Sequence, residues 1–169
     1  MIEEVQDAIV SIIQTNIGSE LESLRSPEGG TALTLTVPAK YLINYDPETT
    51  LIPQNSYPAV VQIPGRSDLE DRLQQGHVVI WWHSIALILL FQLQSNRTDA
   101  LNAIELIQRQ RSRYALATVA ALKKNQQTDP IQQIKINDIQ YTRTLSDDEN
   151  TVLLGGVWIS LMARERVTL

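Results

Sequence analysis

A chain of 169 residues with 43% apolar and 20% charged residues holds enough hydrophobic material for one core and lacks the low-hydropathy, high-charge signature of disorder. With no cysteine it has neither a disulfide framework nor a thiolate metal site, which fits synthesis in a reducing cytosol. A net charge of -5 argues against a surface built to grip many phosphates, and the acidic start Met1-Ile2-Glu3-Glu4 lacks the basic, then apolar, opening of an export signal.

Ile2, Val5, Ile9, Ile12 and Ile13 recur at steps of three and four, which predicts a helix with one apolar face. Glu3 and Glu4 suit its first turn. Gly18 is expected to end it, with Ser19 and Glu22 capping a short continuation through Leu21 and Leu24 that closes by Pro27 and Gly29-Gly30. Leu33, Leu35 and Val37 alternate with threonines and predict a strand ending at Pro38. Pro38, Pro47, Pro53, Pro58 and Pro64 restrict the next stretch to short extended pieces, of which 59–63 is the best. They leave 44–57 as a long projecting loop.

Residues 68–76 read as a charged connection. The run from His77 to Gln92 is the most apolar in the chain, yet too short and interrupted to span a bilayer comfortably. Adjacent Trp81 and Trp82 point to opposite faces of a strand, so a central position covered on both sides is expected. Leu101, Ile104, Ile107, Tyr114 and Ala115 predict a second helix over 98–124, with Lys123 and Lys124 at its C-terminal end. Ile134 and Ile136 share one parity and Ile139, Tyr141 and Leu145 the other, a slip that predicts a β-bulge at Asn137-Asp138. After a polar turn at 146–150, residues 152–167 form a second long strand. It carries Val157, Ile159, Leu161, Ala163 and Val167 on one face and Trp158, Ser160, Met162, Arg164 and Arg166 on the other. Gly155-Gly156 is expected to bend or bulge it. The sum is an α+β fold: a mixed, mainly antiparallel sheet packed against two main helices, in a single domain over 1–169.

Chemistry-bearing residues are sparse. His77 and His83 are six strand residues apart, roughly 20 Å at about 3.3 Å each, and so do not share a metal. Asp68, Glu70 and Asp71 lack the spacing of a calcium loop, and Gly65-Arg66-Ser67 lacks the glycine and lysine of a phosphate loop. No serine has an evident base and orienter, and no Gly-x-Ser-x-Gly elbow occurs, so neither an enzyme nor a cofactor is expected. Arg109, Arg111 and Arg113 form a basic cluster in which 109 and 113 share a helix face. A solvated or ion-paired surface is one reading of it, a nucleic-acid contact the other. Asp147, Asp148 and Glu149 read either as a solvated turn or as an acidic cluster that a symmetric ring would multiply around an opening.

The element order, with the segments Tyr57-Pro58-Ala59-Val60-Val61, Leu101-Asn102-Ala103-Ile104-Glu105-Leu106-Ile107 and Gly156-Val157-Trp158-Ile159-Ser160-Leu161, resembles the tail terminator (tail-completion) proteins of tailed bacteriophages, the lambda and Mu type. The resemblance covers nearly the whole chain in order, size and texture. It implies a virion protein made in the bacterial host cytoplasm and placed at the tail–neck junction. There it would form a ring, expected to be a homohexamer, that caps the tail tube and ends its polymerisation. The implied partners are the tail tube protein, then sheath and neck or connector proteins. DNA would pass through the ring without specific binding, and no membrane is involved. Within this reading Asp147, Asp148 and Glu149 are candidates for the lumen. Tyr45, Asp46, Pro47, Pro53, Gln54, Asn55 and Tyr57 are candidates for a docking loop. A head-completion or neck adaptor of the same virion is the alternative, and a nucleic-acid-binding protein using Arg109, Arg111 and Arg113 is the alternative from another class. The physical companion to the resemblance is that long strands leave edges that sister copies could pair.

Overall fold

The computed structural model describes residues 2–24, 35–44, 52, 56–70, 78–94, 100–142, 145–146 and 152–168. Helix α1 runs unbroken over Ile2–Ser23, burying Val5, Ile9, Ile13, Ile17 and Leu21 along one stripe. Gly18 does not end it. A mid-helix glycine costs only about 1 kcal/mol, which burial of several isoleucines outweighs, and a Cβ there would sit 3.5 Å from the Val37 side chain. Ser19 accordingly bonds the Asn16 carbonyl at 2.9 Å instead of capping a second helix.

Of the strand expected around 33–37, the described residues 35–37 are not in the sheet. Leu33 lies outside the described residues, and 35–37 is extended chain with Leu35 buried and Val37 exposed. Both backbone groups of Thr36 meet one side chain: its N–H donates to the Tyr114 hydroxyl at 2.9 Å, and that hydroxyl donates to the Thr36 carbonyl at 2.6 Å. Alternation reports a half-buried extended chain but does not distinguish a neighbouring strand from a helix-borne tyrosine. The first strand comes later, β1 over Lys40–Ile43. Asn44 then turns the chain at φ 56°, a left-handed conformation that asparagine tolerates, and accepts a hydrogen bond from Gln6 Nε2 at 2.9 Å.

Strand β2 spans Ala59–Leu69, β3 Val78–Gln94, β4 Ile131–Tyr141, β5 Leu145–Ser146 and β6 Val152–Thr168. Helix α2 spans Ala100–Lys124 between β3 and β4. The sheet order is β1-β2-β3-β6-β4, with β5 also paired to β6. Among the described residues only β1 and β2 run parallel, and every other pairing is antiparallel. The fold is therefore α+β, and its core lies between the two helices and one face of the sheet. That core joins Ile9, Ile13 and Tyr114 to Leu87, Leu89, Ile159 and Leu161. Phe91 packs on Tyr114 with ring centroids 4.6 Å apart, and Lys124 ties the end of α2 to α1 through Glu20 at 2.7 Å.

Strand β2 runs past residue 63 into the stretch expected to be a connection, crossing a register shift between Pro64 and Ser67. The bulge expected in β4 is present between Ile136 and Asp138, and a second lies between Ile131 and Gln133. Gly155 and Gly156, in contrast, keep regular register opposite Phe91 and Leu90. The glycine at 156 serves close approach instead: a Cβ would lie 2.9 Å from the Leu89 carbonyl oxygen and 3.2 Å from the Leu90 and Thr142 side chains. Gly156→Val is expected to cost about 1–3 kcal/mol through overpacking, measured as a lower denaturant midpoint at unchanged slope.

Candidate functional site

Register assigns the sheet two unlike faces. Val60, Leu87, Leu89, Val157 and Ile159 face the helices and are fully or almost fully buried. The opposite face aligns Val61 with Ile88 and Ile88 with Trp158, flanked by Leu90 and Met162. Among the described residues no helix lies on this face. Val61 is buried, but Ile88, Leu90, Trp158 and Met162 are half-exposed. The full cover expected for Trp81 and Trp82 is thus absent: both are half-exposed. Trp81 stacks on His83 at 6.5 Å, and Trp82 Nε1 donates to Glu70 Oε2 at 3.2 Å.

The apolar row gives way to charge at one end. Arg164 donates to the same Glu70 oxygen at 3.1 Å and to Gln132 Oε1 at 3.4 Å. Beside it, Gln127, Asp129, Pro130, Ile131, Gln132, Arg164, Arg166 and Thr168 line a cavity of about 650 Å³. The outer edge of β4 is a poor template for another strand, because its two bulges and the exposed Lys135 and Asp138 interrupt and charge it. On the β4 side, what the described residues leave available is a face more than an edge.

On the helix side, the structure joins residues that sequence spacing did not pair. The Ser67 hydroxyl lies 2.8 Å from His83 Nδ1, and His83 Nε2 lies 2.8 Å from Glu165 Oε2. Ser67 is exposed, whereas His83 and Glu165 are buried, with 3% and 2% exposure. Burial raises the Glu165 carboxyl, but hydrogen bonds and charge from the N-terminal amine and from His83 outweigh it and hold the group below its ordinary value. An ionised Glu165 requires a proton on Nε2, so in the neutral ring Nδ1 accepts from Ser67. Chemically this is a hydroxyl with a base and an orienter; mechanically it pins β2, β3 and β6 together. The signal was a glutamate at the core-facing parity of β6 and a histidine at the core-facing parity of β3. The β3–β6 register that aligns His83 with Ala163 and Trp81 with Glu165 is a tertiary fact.

The three arginines of α2 have separate tasks. Arg109 pairs with Glu105 one turn away. Arg111 is buried and donates to the Thr142 carbonyl; burial lowers its guanidinium from the ordinary value, opposed by the nearby Tyr141. Arg113 donates to the Leu24 carbonyl at 2.8 Å. Two of the three are therefore committed to the fold, which leaves little of the nucleic-acid face. Asp147, Asp148 and Glu149, with Tyr45, Asp46, Pro47, Pro53, Gln54 and Asn55, lie outside the described residues, as do His77 and Asp71. Tyr57 is half-buried. No group of histidines, aspartates and glutamates suited to a metal occurs among the described residues, and none of their helices is long and apolar enough to cross a membrane.

Gln62 is fully buried on the helix side, and neither its Nε2 nor its Oε1 has a hydrogen-bond partner. The Tyr41 hydroxyl is likewise buried without a partner, and burial pushes it up to about 12. An unpaired buried amide costs about 1–3 kcal/mol. Gln62→Met is therefore expected to stabilise the fold by an amount in that range, visible as a higher melting temperature.

No protein-family model matches the chain, and no curated protein matches it. Among solved structures it is similar to a chain described as the virion of a native gene transfer agent particle. The identity is 11% and the TM-score 0.31, over 95% of this chain and 98% of that chain. A likeness of this size carries no functional argument, and the reading below rests on the molecule's own surfaces.

Proposed function

We propose that the chain is a structural protein of a tailed-phage virion that assembles into a ring, expected to be a hexamer, at the tail–neck junction. The ring caps the tail tube, ends its polymerisation and presents a platform for neck and head. One observation carries the assembly: a six-stranded sheet whose helices cover a single face, leaving a half-exposed row of Ile88, Leu90, Trp158 and Met162 opposite them. Ile88, Leu90 and Trp158 adjoin one another through the β3–β6 register, and adjoining exposed apolar side chains mark interaction sites in folded proteins. The likeness in element order to tail terminators supplies the biological setting. A contact that joins unlike surfaces of identical copies closes into a ring when the rotation permits, and no active site is needed for that task. Electron microscopy of the purified protein mixed with tail tubes tests the reading: rings seated at tube ends are expected, whereas rings on portal assemblies alone would assign it to a neck adaptor.

A second reading is favoured by the chain from Ser67 through His83 to Glu165, which has the order of nucleophile, base and orienter used in acyl transfer. A fluorophosphonate probe separates the two. The structural reading expects native protein to stay unlabelled; labelling that disappears in Ser67→Ala would establish a reactive serine.

A further inference from the structure

We infer that the contact between copies joins two unlike apolar surfaces of the sheet: the open face of one copy receives, from the next, the end of the helix-bearing face where Leu69, Val79, Trp81 and Val167 stand uncovered. This rests on the self-assembly proposed above and names its second surface. Successive strand residues alternate between faces, so in β3 Val79 and Trp81 share the face of Leu87 and Leu89, while Ile88 and Leu90 lie on the other. The register shift between Pro64 and Ser67 sets Leu69 alongside Trp81 on the helix-bearing face, and Val79 aligns with Val167 of β6. Cover by the rest of the fold ends at His83, which is 3% exposed. Beyond it Leu69 is 51% exposed, and Trp81, Val79 and Val167 are half-exposed. Aligned cross-strand pairs are neighbours, as are residues two apart on one strand face, so these four side chains adjoin in one patch.

The two surfaces do not meet within one chain. They lie on opposite faces, and the eleven strand steps from Val79 to Leu90 span about 36 Å at about 3.3 Å each. A second copy is the occupant that accounts for both. Open face against open face, about a two-fold axis, would cover one surface, leave the end patch in water and stop at two chains. A head-to-tail contact covers both at once and continues from copy to copy until it closes. Charge at the borders fits an apolar occupant better than a polyanion, because Arg164 beside the open row is paired with Glu70 and Arg66 beside Leu69 with Asp68.

The test mixes two variants of the full chain. Leu69→Lys with Val167→Lys in one chain disables the end patch, and Ile88→Lys in another disables the open face. Each alone is expected to weaken self-association at least tenfold in sedimentation, with circular dichroism showing both folded. Mixed in equal amounts they should form a one-to-one pair of twice the monomer mass and nothing larger, because each chain keeps the surface that the other has lost. Native-like assembly by the end-patch variant overturns the inference. A native ring whose two variants form no pair in the mixture overturns it while keeping the ring. A native protein that stops at two chains overturns it in favour of the two-fold contact, and one that stays monomeric overturns both. Pairing in the mixture, together with open filaments of native protein, would keep the contact and sink the ring.

Discussion

Lysine in place of Ile88 is expected to leave the chain folded but monomeric. Ile88 stands mid-sheet on the face without helices, aligned with Val61 on one side and Trp158 on the other. In the free protein that face is half-exposed, so an ammonium can reach water along its own stem. In an assembly that covers the face, the same charge would be desolvated without a counterion. Truncations at the centre of such patches cost 2 kcal/mol or more, and an unpaired buried charge costs several kcal/mol, so self-association should weaken by roughly a hundredfold or more. Unchanged thermal unfolding together with a monomer mass is the expected pair of results. An Ile88→Lys protein that assembles like the native one would move the interface elsewhere.

The second large effect concerns the buried pair. Glu165→Ala removes the acceptor 2.8 Å from His83 Nε2 in a site where both residues are buried. A buried Nε2–H left without its acceptor costs about 1–3 kcal/mol, so this substitution should lower the denaturant midpoint at unchanged slope. The pH dependence follows from the direction of the carboxyl shift. A folded-state value held below the ordinary one means that the unfolded chain takes up the proton first as pH falls. The stabilisation carried by the ionised Glu165 carboxylate, of which the bond to His83 is one part, is therefore complete above the ordinary carboxylate range and is lost as pH drops through the folded-state value. Glu165→Gln, which removes the titrating group, should flatten that acid limb relative to native protein in parallel urea titrations. Equal acid limbs would contradict a Glu165 carboxyl held below its ordinary value in the folded chain.

Much of this architecture was legible in local pattern. Isoleucines at helical spacing marked α1, and the parity of Val157 through Ala163 gave the buried face of β6. The slip between Ile136 and Ile139 located the bulge in β4. What failed did so where tertiary contacts replace local rules. Gly18 sits inside a helix because the stripe on both sides of it is buried. In the alternation before Pro38, Thr36 bonds a tyrosine of α2 instead of a neighbouring strand. Gly156 is small because a carbonyl passes 2.9 Å from where its Cβ would be. The candidate sites were less legible still. Arg164 and Arg166 read as the outer face of a strand, but the residues at 127–132 that complete their cavity are brought there only by sheet order. Edge pairing, expected from long strands, is discouraged on β4 by bulges whose number only the register reveals.

Mass measured over a wide concentration range, for the protein alone and with tail tubes, bears most directly on the claim that this chain acts by joining its own copies. A closed species of fixed size, expected at six subunits and increasing in population without growing in length, is the predicted result. A protein that stays monomeric at every concentration, tubes present or absent, would contradict it.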